Sequence, residues 1–160
     1  MRKKIYKAIA ERLRAADLGI KYISLWNRNT EQLSAQVAFE MPAVFVEFEP
    51  IQWGQMQAGA RSADLRVRLH IVTSTLGTPE DGGQYQDLAL EHLDLIESIS
   101  AAIQGLCGDG FNCFMLVESL TDHDYMQVSD NEECYVTRIT DTSAQKPRYC
   151  AVGVELVQGE

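Results

Sequence analysis

Two segments of the chain alternate strictly between apolar and polar positions, and they set its frame. In residues 43–50, Val44, Val46 and Phe48 fall on one side and Glu47 and Glu49 on the other. In residues 64–74, Leu65, Val67, Leu69 and Ile71 share one side, and Arg66, Arg68 and His70 share the other. A period of two is the mark of a half-buried strand. Pairing the segments antiparallel with Val46 opposite Leu69 also sets Glu47 opposite Arg68 and Glu49 opposite Arg66. A slip of one residue would wet both apolar sets and separate the charges. Cross-strand pairs contribute only about 0.2–1 kcal/mol each, so the charges select the register while apolar burial stabilises it.

Helical spacing governs two other stretches. Near the start, Ile5, Ile9, Leu13 and Ala16, flanked by Ala8 and Ala15, form an apolar stripe, with Lys3, Lys4, Lys7, Arg12 and Arg14 left to solvent. Gly19 is the expected terminator. In residues 84–106, Leu88, His92, Ile96, Ile99, Ile103 and Leu106 repeat at helical intervals. Such a helix is roughly 35 Å long, enough to cross a sheet, and Gly105 and Gly108 end it. Its polar side carries Asp87, Glu91, Asp94 and Glu97 with no cation among them, as suits a solvated face or a basic partner. Short strands are expected at 20–26, 111–120, 134–140 and 149–157, with Pro42 opening the first long strand and 33–41 ambiguous. Residues 121–133 read as an acidic connection. The result is an α+β fold, a mainly antiparallel β-sheet with two helices packed on one face. It is expected to be one domain over residues 1–160, with an extended arm at about 51–63.

Composition narrows the function. With 160 residues, 46% of them apolar, the chain can bury a full core without staples. Residues 1–70 hold 11 Lys/Arg against 7 Asp/Glu, whereas 71–160 hold 3 against 16, for a net charge of −9. An acidic total argues against nucleic-acid binding, which needs a basic patch. The split suits a head-to-tail oligomer whose subunits present opposite signs to their two neighbours, unless the halves intermix in the fold. No apolar run approaches a membrane span, and none follows the basic amino terminus as a signal peptide requires. Cys107, Cys113, Cys134 and Cys150 match no zinc spacing and read as reduced thiols of an intracellular protein.

The search for catalytic motifs finds none of the phosphate-loop, dinucleotide, nucleophile-elbow or zinc-protease patterns. Asp122-His123-Asp124 is the one tempting cluster, but three consecutive residues cannot all face one ion. Asp130, Glu132 and Glu133 lack the glycine and spacing of a calcium loop. His92 reads as a core or boundary histidine. No catalytic residue, metal or cofactor is expected, and an enzyme is the last of the alternatives because no convergent polar set appears.

Residues 51–63, Ile-Gln-Trp-Gly-Gln-Met-Gln-Ala-Gly-Ala-Arg-Ser-Ala, are too long for a tight turn and almost uncharged. Gln52, Trp53, Gln55, Met56, Gln57 and Arg61 resemble an interface core in composition more than a solvated loop. The alternative is that Trp53 folds back on its own sheet.

The order of elements, with Met41-Pro-Ala-Val-Phe-Val-Glu-Phe, the arm, Leu65-Arg-Val-Arg-Leu-His-Ile-Val-Thr, one long helix and three last strands, resembles the tail terminator (tail-completion) proteins of long-tailed phages and prophages. The resemblance spans nearly the whole chain as an order of elements; the family has no sharp motif. It implies a ring of copies, usually six, that caps the tail tube, ends its elongation and offers a docking face to the head. The implied partners are other copies of this chain, the tail tube protein and a head-completion or connector protein, with no membrane and no specific nucleic acid. The implied place is the bacterial cytoplasm during assembly and then the virion tail. The arm residues, with Glu47, Glu49, Arg66 and Arg68 on the adjoining sheet face, are the candidate partner-binding set. The acidic stretch 122–133 departs from the family. Another head–tail connector, or a protein-binding module on the same frame, is the alternative.

Overall fold

The computed structural model describes residues 1–28, 39–74, 80–84, 86–124 and 128–143. The expected strand at 149–157, Cys150, most of 33–41 and the turn at 146–148 lie outside them. The elements are α1 (Arg2–Ala15), β1 (Tyr22–Leu25), β2 (Ala43–Phe48), β3 (Gly54–Gln55), β4 (Arg61–Ser74), α2 (Gln86–Ile103), β5 (Met115–Asp124) and β6 (Val128–Asp141). They form an α+β fold around one sheet ordered β1-β2-β4-β6-β5, with β3 paired to the start of β4. All pairings are antiparallel except β1 with β2.

The expected register between the two alternating segments is the observed one. Val46 pairs with Leu69 and Glu47 with Arg68, and the Glu49 amide donates to the Arg66 carbonyl at 3.2 Å. β4 starts at Arg61, three residues earlier than the alternation implied, and runs for 14 residues beside the 14 of β6.

One face of the sheet carries both helices. Ile5, Ile9 and Leu13 of α1 and Ile99 and Ile103 of α2 meet Val44 and Val46 of β2, Leu65, Val67, Leu69 and Ile71 of β4, and Tyr135 and Ile139 of β6 in one buried cluster. The expected helical stripes thus face the expected strand sides, except that α1 stops at Ala15 and leaves Ala16, expected on its stripe, exposed. Asp17, at φ 50°, already takes the left-handed conformation just past α1, two residues before Gly19 at φ 70°. Chain reversal therefore begins on an aspartate, a residue type that tolerates this region. α2 stops at Ile103 and Gly105 follows at φ 77°, as a terminating glycine should.

Two strand assignments need correction. The apolar run 111–120 is not strand throughout: Phe111 and Phe114 are buried in a turn under the end of α2, and β5 begins only at Met115. Residues 121–124 and 128–133, expected as part of a connection, belong to the antiparallel strands β5 and β6. Alternation of hydrophobicity could not reveal β6, because its helix-side positions there are polar. Ser129, Asn131 and Glu133 are 1%, 1% and 5% exposed.

Glu133 is held by hydroxyls rather than by cations. Ser119 Oγ donates to its Oε2 at 2.9 Å and Ser100 Oγ at 3.2 Å, while the Ser100 hydroxyl also meets Tyr135 OH at 3.0 Å. Burial pushes the Tyr135 phenol up to about 12, the Ser100 hydrogen bond opposing and the Glu133 charge adding to it. An unfolded tyrosine titrates near 10. The native state therefore favours the neutral phenol: that stability is intact below about pH 10 and is lost as pH rises through about 12. The loss approaches ~3 kcal/mol by linkage. Tyr135→Phe should remove this alkaline component, seen as a smaller drop in urea midpoint between about pH 9 and about pH 12 than in the wild type. Parallel losses in the two proteins would count against a neutral, buried Tyr135.

Candidate functional site

Among the described residues the sheet's other face carries no helix, and it divides into an aromatic part and a charged part. On the aromatic part, Ala43, Phe45 and Val72 form a second small core with Trp26, Phe39 and Met41. Phe39 and Trp26 meet Phe45 edge-on at 5.0 and 5.9 Å between centroids. Beside it lies the charged part, built by strand alternation. Glu47 and Glu49 from β2, Arg66, Arg68 and His70 from β4, and Asp130, Glu132 and Cys134 from β6 all point to this side.

Arg68 is its hub. One Nη donates to Glu49 Oε1 at 3.0 Å, the other contacts Glu132 Oε2, and Nε lies 4.0 Å from Glu47. The hydrogen bond to Glu132 holds this guanidinium more firmly protonated than usual, against the opposing effect of burial. Arg66 reaches Glu49 at 3.3 Å, Glu118 of β5 at 2.9 Å and Cys134 Sγ at 3.5 Å. Burial pushes the Cys134 thiol up, with Arg66 opposing, so Cys134 is a packed thiol and not a nucleophile. Burial by itself would lower the pKa of His70, but hydrogen bonds and charge from Asp130, Glu47 and Glu132 outweigh it and leave the imidazole raised.

Glu47, Glu49, Arg66 and Arg68 are thus brought together, chiefly to bind one another. The basic first half and the acidic second half of the chain meet here: Arg66 and Arg68 sit between carboxylates from both. Part of the sequence asymmetry is cancelled within the molecule. Among the described residues a separation of charge persists on the helix layer, where Arg2, Lys3, Lys7, Arg12 and Arg14 of α1 and Asp87, Glu91, Asp94 and Glu97 of α2 are all exposed. Lys4 of α1 pairs with Asp109.

The arm segment does not run free along its length. Gly54 and Gln55 fold back onto Ser62 and Arg61, through a tight turn in which Ala58 and Gly59 both take positive φ, 59° and 83°. Trp53 is half-buried against the main core. The Arg61 guanidinium lies 4.4 Å from its ring centroid and donates to Asp141 Oδ2 from Nε at 3.0 Å and Nη2 at 2.8 Å. A backbone and side-chain hydrogen bond from Ser143, then Arg61, keep the Asp141 carboxyl well below the usual range. Trp53 therefore braces the root of the arm, whereas Gln52, Gln55, Met56 and Gln57 are exposed, Met56 by half.

Of the other candidates, His92 is half-buried at the sheet-facing boundary of α2. The side chains of Asp122, His123 and Asp124 lie outside the described residues. Cys107 and Cys113 are exposed free thiols. Among the described residues no helix is long and apolar enough to cross a membrane. Sequence reasoning missed the convergence of His70 with Asp130 and Glu132. The available signal was the 130, 132, 134 periodicity, which aligns with 72, 70 and 68 once β4 and β6 are paired.

No family model matches this chain, and no curated protein is significantly similar to it. Among solved structures, a chain in the virion of a native gene transfer agent particle has a similar fold, with a TM-score of 0.50 and 13% identity, over 85% of this chain and 94% of the other.

Proposed function

We propose that this chain is a structural component of a phage-like virion, and within that class a tail terminator. In this reading copies of the chain, six in the usual case, form a ring on the end of the tail tube. The ring stops elongation and presents a face to the head-completion or connector protein. The observation that carries it is the fold likeness to a chain of the gene transfer agent virion, joined to the order of elements read from the sequence. The role is structural and not enzymatic. The protein would work in the bacterial cytoplasm during assembly and afterwards in the tail.

Two surfaces support assembly. α1 presents cations and α2 carboxylates on one layer, a heterologous pair of the kind that closes rings. The exposed arm tip, Gln55 to Gln57 around Met56, offers an apolar anchor with neutral hydrogen-bonding flanks. Because Trp53 is docked on its own chain, the tip rather than the whole arm is the surface that meets a neighbour. Glu47, Glu49, Arg66 and Arg68 would contribute at most their exposed rims. A different head–tail connector is favoured as the second reading, since the likeness is to a virion component and names no position in it.

Met56→Ala should weaken ring closure about 30-fold with the melting temperature unchanged, the loss expected of a ~2 kcal/mol anchor. Trp53→Ala should lower both. Raising salt from 0.1 to 1 M, which shortens the Debye length from ~10 to ~3 Å, should weaken association further. Sedimentation and electron microscopy of the same samples read these outcomes. A wild-type chain that stays monomeric at all concentrations, or rings indifferent to both Met56→Ala and salt, would rule the proposal out.

A further inference from the structure

The charged face brings one imidazole and two carboxylates to a single point. His70 Nε2 lies 3.2 Å from Glu47 Oε2, so an N–H there donates to that carboxylate. Nδ1, on the other side of the ring, points between Asp130 Oδ2 at 3.4 Å and Glu132 Oε1 at 3.7 Å, where it either donates a proton to them or, deprotonated, offers its lone pair to an ion. The ligand atoms of His70, Asp130 and Glu132 all lie within 4.8 Å of one another. Trp26 stacks on the imidazole at 3.6 Å and 4°, which fixes the ring plane and leaves its edge open to the two carboxylates.

A proton alone fits this space poorly. Charge-assisted N–H···O bonds run about 2.7–2.9 Å, and the two oxygens beside Nδ1 stand farther off, at 3.4 and 3.7 Å. Asp130 Oδ1 is buried and has no hydrogen-bond partner. The charge balance also leaves room for a cation: around Arg66, Arg68 and His70 stand Glu47, Glu49, Glu118, Asp130 and Glu132, five carboxylates to three basic groups. A four-coordinate ion with bonds of about 2.0–2.1 Å has ligand–ligand edges of about 3.3 Å, close to what the trio presents. A hard cation such as calcium takes six to eight oxygens, which this site does not offer.

We propose that His70 Nδ1, Asp130 and Glu132 bind a divalent ion of the zinc class, with Glu47 orienting the imidazole from its far side. The three ligands come from two adjacent strands and the fourth position is open to water. The remaining oxygen of Glu132 stays with Arg68, and Glu47 is the carboxylate that fixes the tautomer. The partly exposed Asp130 and Glu132 give the ion access from solvent. The ion would stitch β4 to β6 where the described chain offers it no other partner.

The test uses the full chain with Cys107, Cys113 and Cys150 changed to serine, so that these thiols do not compete for the metal. After chelator treatment it is titrated with cobalt(II) and then zinc(II). One equivalent of cobalt should bind with the visible bands of a four-coordinate ion and be displaced by zinc. Zinc, but not magnesium, should raise the melting temperature. Glu47→Gln should weaken binding roughly 10–100-fold, the usual loss for an outer partner, and Asp130→Asn or His70→Gln by more. If His70→Gln fails to fold, Asp130→Asn decides. Absence of saturable binding in this triple-serine chain, or undiminished binding in folded Asp130→Asn, would overturn the site.

Discussion

Arg68→Ala should destabilise the protein by about 3 kcal/mol, far more than an ordinary surface ion pair is worth. Exposed pairs typically contribute 0–1 kcal/mol, whereas removing one partner from a buried pair costs about 3–5 kcal/mol because the other charge is stranded. Arg68 lies near the second case. Its side chain is 22% exposed, and Glu49 and Glu132, which it joins across β2, β4 and β6, are 24% and 22% exposed. Without it Glu49 is left with Arg66, and Glu47 and Glu132 are left with His70. Arg68→Lys should recover only part of the loss, since an ammonium cannot bond Glu49 and Glu132 through a planar fork. Urea unfolding of the two variants and wild type is the measurement. A loss below ~1 kcal/mol for alanine would mean that water screens this face as it screens any surface.

The neighbouring position on the same strand should be as sensitive for the opposite reason. Leu69 is fully buried on the helix side, in one cluster with Ile5, Ile9 and Leu13 of α1 and Ile99 and Ile103 of α2. Leu→Ala at such sites costs about 2–5 kcal/mol, the higher values where surroundings cannot collapse into the cavity. Here the sheet beneath is pinned by β2 and β6 on both sides, so relaxation is limited and the upper half of that range is expected. For a chain of this size about 4 kcal/mol lowers the melting temperature by roughly 8–16 °C. Calorimetry would show it. A fall of only about 3 °C would mean that the helices settle into the space.

These two residues also explain how much of the fold was legible. Leu69 and Arg68 belong to strands with one apolar and one charged side, so a single register satisfied both, and that register is the one observed. The helices were equally plain, because α1 and α2 each bury a stripe against one sheet face. β6 was hidden between residues 128 and 133, where its inward positions Ser129, Asn131 and Glu133 are polar. Their hydrogen-bond partners, such as Ser100 and Ser119 for Glu133, come from α2 and β5. No local pattern announces a hydroxyl supplied from 33 residues away. The cluster on His70 failed to appear for the same reason: Asp130 and Glu132 reach it only after β4 and β6 have paired. The arm was visible as an apolar, glycine-punctuated loop. That Trp53 rests under Arg61 while Met56 does not could be decided only by the fold-back of β3.

The long pairing of β4 with β6 fixes the order in which a newly made chain can fold. The two strands are joined across sequence gaps of 54 residues, between Ser74 and Val128, to 80, between Arg61 and Asp141. Contacts so distant place the domain among slow folders, since loop closure must precede any gain from the pairing. α1, β2 and β4 leave the ribosome well before β6. At 5–20 residues per second the 67 residues between Ser74 and Asp141 take roughly 3–13 s to synthesise. Throughout that interval β4 has one unpaired edge 14 residues long, with half its side chains apolar and no strand yet available in cis. Such an edge is a template for another chain's β4. On it, Arg66, Arg68 and His70 place like charges where a second copy would approach, so the residues that later knit the finished sheet also guard the unfinished one.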